Sequence, residues 1–237
     1  MMSLLEVHHT LDSVIDELLH STEILHPPVN AFVVARHLGW EIILNAQQQE
    51  RGRLKRFHDR ATIFLKPDDR PERLQWALAH EIGESLSSRW AHWIEDPQFS
   101  DAAETREALA NLFATRLLLP ERWFREQVNA TGRDLFALKE QFSTASYQLI
   151  AQRLLDLEEP LIVTVIDQGQ PTSRNSNWLR SVPPLQEAER RCWRESHARN
   201  EPGSVRTEEL DIACWPVHEP DWKREILLTA PVDVDLA

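Results

Sequence analysis

Ala79-His80-Glu81-Ile82-Gly83-Glu84 is the stretch on which the reading of this chain turns. On a helix, residues four apart share a face, so His80 and Glu84 project together and Glu81 falls in the same arc. The opposite arc carries Leu74, Leu78, Ile82 and Leu86, which can face a core. This is the layout of a metallohydrolase helix. Two ligands one turn apart hold a metal, and the glutamate after the first acts as general base on metal-bound water. The usual pattern ends in histidine, and here that position is Glu84. With ten histidines in 237 residues, such a match arises by chance in roughly one chain in ten. On its own, a solvated helix face with one incidental histidine is the plainer account.

The flanking sequence frames this helix. Pro67-Asp68-Asp69-Arg70-Pro71 is a stop-and-start signal, with Asp68 or Asp69 as cap and Pro71 in the first turn, and the helix runs to the Trp90–Trp93 region. The next helix, over Ala102–Leu118 and ending at Pro120, places Glu107 and Asn111 on one face. A glutamate with an amide one turn later can be a metal ligand and the group that orients it. Leu109, Leu112, Phe113 and Leu117 supply the packing side. Read alone, Glu107 is equally an ordinary exposed glutamate.

Composition excludes whole classes of function. The six glycines are so spread that no two lie closer than Gly39 and Gly52. A Walker-type loop or a dinucleotide fingerprint needs two or three within a few positions, so neither exists here. Thirty-eight acidic against twenty-six basic side chains, a net charge of -12, disfavour direct nucleic-acid binding. An apolar fraction of 42%, with nine Trp and eight Phe, is ample for a core. Cys192 and Cys214 are too few for a disulfide scaffold and are expected to be buried reduced thiols. Met1 to Asp16 lacks the apolar core of a signal peptide. The longest apolar stretches, such as Ala31–Ala35 and Leu161–Ile166, fall far short of the roughly 20 residues of a membrane helix. The expectation is a soluble cytoplasmic protein with no membrane partner.

Outward from the central helix, periodicity predicts a first helix over Leu11–Leu19 and a second from Pro27-Pro28 to Gly39. Strands are expected over Trp40–Leu44, Leu54–Phe57 and Ala61–Leu65, the last two joined by His58-Asp59-Arg60. A short helix over Glu121–Val128 is followed by a helix-turn-helix-like pair, Leu135–Phe142 and Ser146–Leu157. That pair carries only Lys139 and Arg153 as basic residues, so its apolar positions read as a packed hairpin rather than a DNA reader. Beyond Glu158 the character changes. Leu161–Ile166 reads as a strand, then a Pro-, Ser- and Asn-rich stretch to Pro184, a helix over Leu185–His197, and strands over Leu210–Val217 and Lys223–Leu228. Trp178, Trp193, Trp215 and Trp222 are expected in the core of this part.

Several features occur together and in order. They are the helix Pro28-Val29-Asn30 to Ala35-Arg36-His37-Leu38-Gly39 leading into a strand, Arg51-Gly52-Arg53, and Pro71-Glu72-Arg73 with Leu78-Ala79-His80-Glu81-Ile82-Gly83. Then come Ala110-Asn111-Leu112-Phe113-Ala114 with Leu117-Leu118-Leu119-Pro120, and the pair ending Arg153-Leu154-Leu155-Asp156-Leu157. Over residues 27–157 the chain resembles the ImmA/IrrE-type metallo-endopeptidase family. The resemblance implies an α+β fold: a zincin-like, mainly helical domain with a small three-stranded sheet at 27–158, containing the helix-turn-helix-like pair at 135–157. An N-terminal helical extension at 1–26 precedes it, and a smaller α/β accessory domain follows at 159–237. It implies a regulatory protein that hydrolyses peptide bonds in a protein partner, such as a helix-turn-helix transcriptional repressor. Carried over, His80 and Glu107 become metal ligands, Glu81 the general base, and Glu84 stands where the family has its second ligand histidine.

That substitution leaves two outcomes open. Glutamate can bind zinc, and one imidazole with two carboxylates is a harder set that shifts preference toward manganese or iron. In that case His80, Glu84 and Glu107 hold the ion and Asn111 orients Glu107. His92, twelve residues past His80, lies roughly 18 Å further along an unbroken helix and is no substitute ligand. Alternatively the metal site has decayed and the fold is kept as a catalytically inactive module that binds a protein partner.

Overall fold

The computed structural model describes residues 4–57, 60–90 and 103–232. The turn residues His58 and Asp59, the helix end between Trp90 and Trp93, and His92 lie outside them. The fold is α+β, with eight α-helices, a three-stranded sheet and a five-stranded sheet among the described residues. The chain divides into two compact units, Met1–Gly132 with Lys139–Ser146, and Arg133–Leu138 with Tyr147–Ala237.

In the first unit, α1 (Leu4–Ser21) is longer than its predicted span because Val7 extends the stripe of Leu11, Ile15 and Leu19 by one turn, and all four are buried. Helix α2 (Ala31–His37) starts where Asn30 caps the Phe32 N–H, and Gln75 of α3 (Pro71–Trp90) ties this start down. Gln75 Oε1 accepts from the Ala31 N–H at 2.7 Å, and Gln75 Nε2 donates to Asn30 Oδ1 at 3.1 Å. Strands β1 (Glu41–Leu44), β2 (Gly52–Phe57) and β3 (Arg60–Leu65) form a sheet in the order β1-β3-β2. β1 pairs parallel with β3, β2 antiparallel, so β2 is an edge strand.

Helix α4 (Ala103–Leu118) packs along α3, and the seam is tight at one residue. A Cβ on Gly83 would stand 2.9 Å from both Cβ and Cδ1 of Phe113 and 3.1 Å from the Ala110 carbonyl oxygen. Leu78, Ile82, Phe113 and Leu117 are fully buried around this contact. Helix α5 (Glu121–Thr131) follows Pro120 and ends at Gly132.

The helix-turn-helix-like pair is two seven-residue helices, α6 (Leu135–Gln141) and α7 (Tyr147–Arg153), the second continued by a 3-10 turn over Leu154–Asp156. Its two cations are engaged within the protein. Lys139 donates to Glu72 and to the carbonyls of Ser143 and Ala145, and the buried Arg153 pairs with Asp156.

The second unit is built on an antiparallel sheet in the order β5-β4-β8-β7-β6. Its strands are β4 (Ile162–Asp167), β5 (Gln170–Ser176), β6 (Gly203–Arg206), β7 (Leu210–Glu219) and β8 (Trp222–Pro231). One helix, α8 (Glu187–Arg199), packs on β6, β7 and β8. All pairings are antiparallel, so this unit is α+β in layout rather than the α/β expected. Sequence patterning misses β5 and β6, the polar edge strands. β5 is joined to β4 by Gln168-Gly169, both at positive φ, which matches the turn chemistry of a two-residue hairpin. Cys192 and Cys214 are free and buried as expected. Of the four tryptophans placed in the core, Trp215 is buried, whereas Trp178 and Trp222 are exposed.

The α3–α4 seam gives a direct test. Overpacking costs about 1–3 kcal/mol, offset by the roughly 1 kcal/mol that alanine gains over glycine in a helix. Gly83→Ala is therefore expected to destabilise by about 1 kcal/mol in denaturant unfolding and Gly83→Val by more. Unchanged midpoints for both variants would show that the helices do not meet at Gly83.

Candidate functional site

The seam that buries Gly83 sets His80 of α3 opposite Asn111 of α4. His80 Nδ1 and Asn111 Oδ1 are 3.0 Å apart, and Asn111 Nδ2 points to Glu107 Oε1 at 3.4 Å. The amide nitrogen donates toward a carboxylate, which leaves Oδ1 to accept from the imidazole. His80 therefore donates from Nδ1, and its Nε2 is directed outward. Trp76, one turn earlier on α3, stacks on the ring with centroids 5.3 Å apart. The ring is thus fixed on two sides.

Among the described residues, ligand atoms of His80, Glu81 and Glu84 lie within 4.8 Å of one another. Glu107 approaches from α4, with Oε2 3.5 Å from His80 Nε2. The five residues singled out from sequence thus gather at one place, though Glu107 stands outside the tightest group and is largely exposed. Asn111 has a wider part than expected, since it holds His80 as well as Glu107.

Glu81 is the buried member, at 6% exposure. Burial lifts its carboxyl to about 7, the charges of Glu84, Glu107 and Glu50 add to this, and the Leu54 backbone N–H opposes it by bonding to the carboxylate. The side chain lies against Gly52, where a Cβ would stand 2.5 Å from Glu81 Oε1. The edge strand β2 therefore approaches α3 closely only because position 52 carries no side chain. The site opens into a cleft of about 580 Å³ lined also by Glu50, Arg53, Arg56 and Ser85.

Trp76 and Leu54 have no site role in the sequence reading, and Gly52 enters it only within Arg51-Gly52-Arg53. Trp76 had a usable signal in its spacing of four from His80. Gly52 and Leu54 had none, because their nearness to Glu81 depends on strand register. The arrangement presents an imidazole nitrogen and several carboxylates to one volume, which is a donor set for a divalent cation.

The model of the IrrE N-terminal-like domain matches residues 35–155, half of the chain. Among solved structures, the chain is similar to a Mycobacterium tuberculosis transcriptional regulator at 16% identity and a TM-score of 0.70, over 94% of this chain and 76% of that one. At that identity the likeness is one of fold. No curated protein matches the chain.

Glu81 gives a pH signature in the metal-stripped protein. The folded chain holds its proton up to about 7, against an ordinary value of 4.5, so it binds more protons than the unfolded chain in that window. This contribution to stability is complete below the lower value and is lost as pH rises through the upper one. Glu81→Gln is expected to flatten thermal stability across that window. Equal slopes for wild type and variant would refute the assignment.

Proposed function

Because the chain belongs to the IrrE N-terminal-like family of metallopeptidase-like regulators, we propose that its first unit is a metal-dependent peptidase site acting on a regulatory protein partner. The observation that carries this is the meeting of His80 Nε2 with Glu107 Oε2 at 3.5 Å, while Nδ1 is taken by Asn111. An outward-facing imidazole nitrogen and carboxylate oxygens meeting in one volume are a donor set that a divalent cation would complete. The donor set fits the metal that the family implies, with zinc as the first candidate and manganese or iron favoured by the two carboxylates.

In this reading His80, Glu84 and Glu107 hold the ion, and Asn111 positions two of the three ligands. When bound, the ion supplies Lewis-acid polarisation of a carbonyl and makes water more acidic. Glu81 accepts the proton of the attacking water on its carboxylate and passes it to the leaving amine. Its burial against Gly52 and its bond from Leu54 hold the carboxylate in place. The open cleft gives an extended segment of a protein access to this group. The partner is proposed to be a transcriptional repressor, in keeping with the regulatory character of the family and of the structural neighbour.

A second reading is favoured by Glu84 at the second ligand position and by Glu107 lying outside the tight group. It keeps the fold as an inactive module that binds a protein partner. The two readings part on simple variants. His80→Ala is expected to lower bound divalent metal by one equivalent, and Asn111→Ala to weaken that metal by about 10–100-fold. Glu81→Gln should keep the metal and lose about 10²–10⁴-fold in cleavage rate. Wild-type protein from which His80→Ala removes no metal, even after reconstitution, overturns the catalytic reading. Undiminished regulatory output from Glu81→Gln establishes the inactive module instead.

A further inference from the structure

The second unit buries two carboxylates completely beneath α8, and they are neutralised in different ways. Glu189 of α8 receives Arg174 Nη2 at 3.0 Å on each oxygen, together with Thr229 Oγ1 at 2.7 Å and the Gln186 N–H at 2.7 Å. Glu225 of β8 is equally buried, at 0% exposure. Its polar contacts among the described residues are Trp193 Nε1 on Oε2 at 3.0 Å, and His197 Nδ1 and His218 Nε2 on Oε1 at 2.7 and 2.5 Å. An ionised carboxylate out of water requires a compensating positive charge. Glu189 has a guanidinium. Glu225 has two imidazoles.

Chain geometry brings these groups together from three elements. His197 stands four residues after Trp193, so both project from one face of α8. The β7–β8 register pairs Pro216 with Glu225 and His218 with Lys223, which puts His218 and Glu225 diagonally on the same sheet face. Two ring nitrogens and one carboxylate oxygen then lie within 4.8 Å of one another. The rings meet at 66°, so they reach Oε1 from different directions. Trp193 occupies the other oxygen, as an orienting donor does for a ligating carboxylate. His197 sits in the last turn of α8, where the helix dipole favours a cation. Its side chain is 39% exposed, which leaves a way in from solvent.

We propose that His197, His218 and Glu225 form a binding site for a zinc-class divalent ion that ties the last turn of α8 to the β7–β8 hairpin, with a fourth position open to solvent. Two imidazoles and one carboxylate are a recurrent zinc set. An ion at about 2.0–2.2 Å from each ligand in a tetrahedral set needs nitrogen-to-oxygen spacings of about 3.3–3.5 Å, an outward shift of both rings by up to about 1 Å. The site shares no residue with the His80 cluster and does not depend on the function proposed for it.

The test uses the full-length, tag-free chain carrying His80→Ala, which clears the other cluster. Zinc titration at neutral pH is expected to show one equivalent bound, and cobalt substitution a visible absorption band. Adding His197→Ala or Glu225→Gln should abolish both, with circular dichroism unchanged. Trp193→Phe should weaken the ion by about 10–100-fold. In the wild-type background, His197→Ala alone should remove one equivalent, so the result stands even where His80→Ala perturbs folding. A His80→Ala chain with native circular dichroism that binds no zinc, or zinc binding indifferent to His197→Ala in either background, overturns the site. In that event the imidazoles serve only as hydrogen-bond partners of Glu225.

Discussion

The close approach of α3 and α4 at Gly83 governs the rest of the first unit. Phe113 and the Ala110 carbonyl occupy the space where a side chain at position 83 would lie. With the helices at that distance, the residue next to Ala110 is Asn111, and it falls opposite His80 within hydrogen-bonding reach. One turn back, Glu107 falls opposite the other ring nitrogen. The geometry of the His80 cluster is therefore a by-product of apolar packing. Leu78, Ile82, Phe113 and Leu117 fix the helix pair, and the polar residues take positions the pair dictates. The same logic holds on the sheet side, where Gly52 lets β2 lie against Glu81.

Local signals made most of this visible in the sequence. The His80 helix announced itself through Pro71 and its apolar arc, and Glu107 with Asn111 through their spacing of four. What stayed hidden depended on partners far along the chain. Nothing local in Gly52-Arg53-Leu54 indicates that its edge meets a carboxylate carried 27 residues later by Glu81. Nor does helical spacing say whether Asn111 serves Glu107, His80 or both. Strands β5 and β6 escaped for a different reason. As edge strands they bury little, so they carry no apolar alternation, and Gln170–Ser176 reads as a loop. The His197, His218 and Glu225 group was likewise unreadable, because the diagonal relation of β7 to β8 exists only after pairing.

The acid clusters singled out in the two units are balanced by different neighbours. In the first, the carboxylates of Glu81, Glu84 and Glu107 gather around His80, and burial together with the charges of Glu84 and Glu107 raises the proton affinity of Glu81. In the second, Glu189 is locked by Arg174 into a fixed scaffold. A guanidinium fork makes a permanent partner. Imidazoles and clustered carboxylates leave room for an exchangeable one. Which chemistry a buried acid can take part in is decided by the neighbour that neutralises it.

The bond from the Leu54 amide to Glu81 has a consequence for dynamics. An outward-facing amide on an edge strand ordinarily exchanges its hydrogen with solvent freely, because no neighbouring strand covers it. Here a side chain from a helix stands in for that missing strand. Protection of this one amide thus reports how much of the time the Glu81 carboxylate stays against it. The backbone of β2 carries, in its exchange rate, a time-averaged report on the carboxylate beside it.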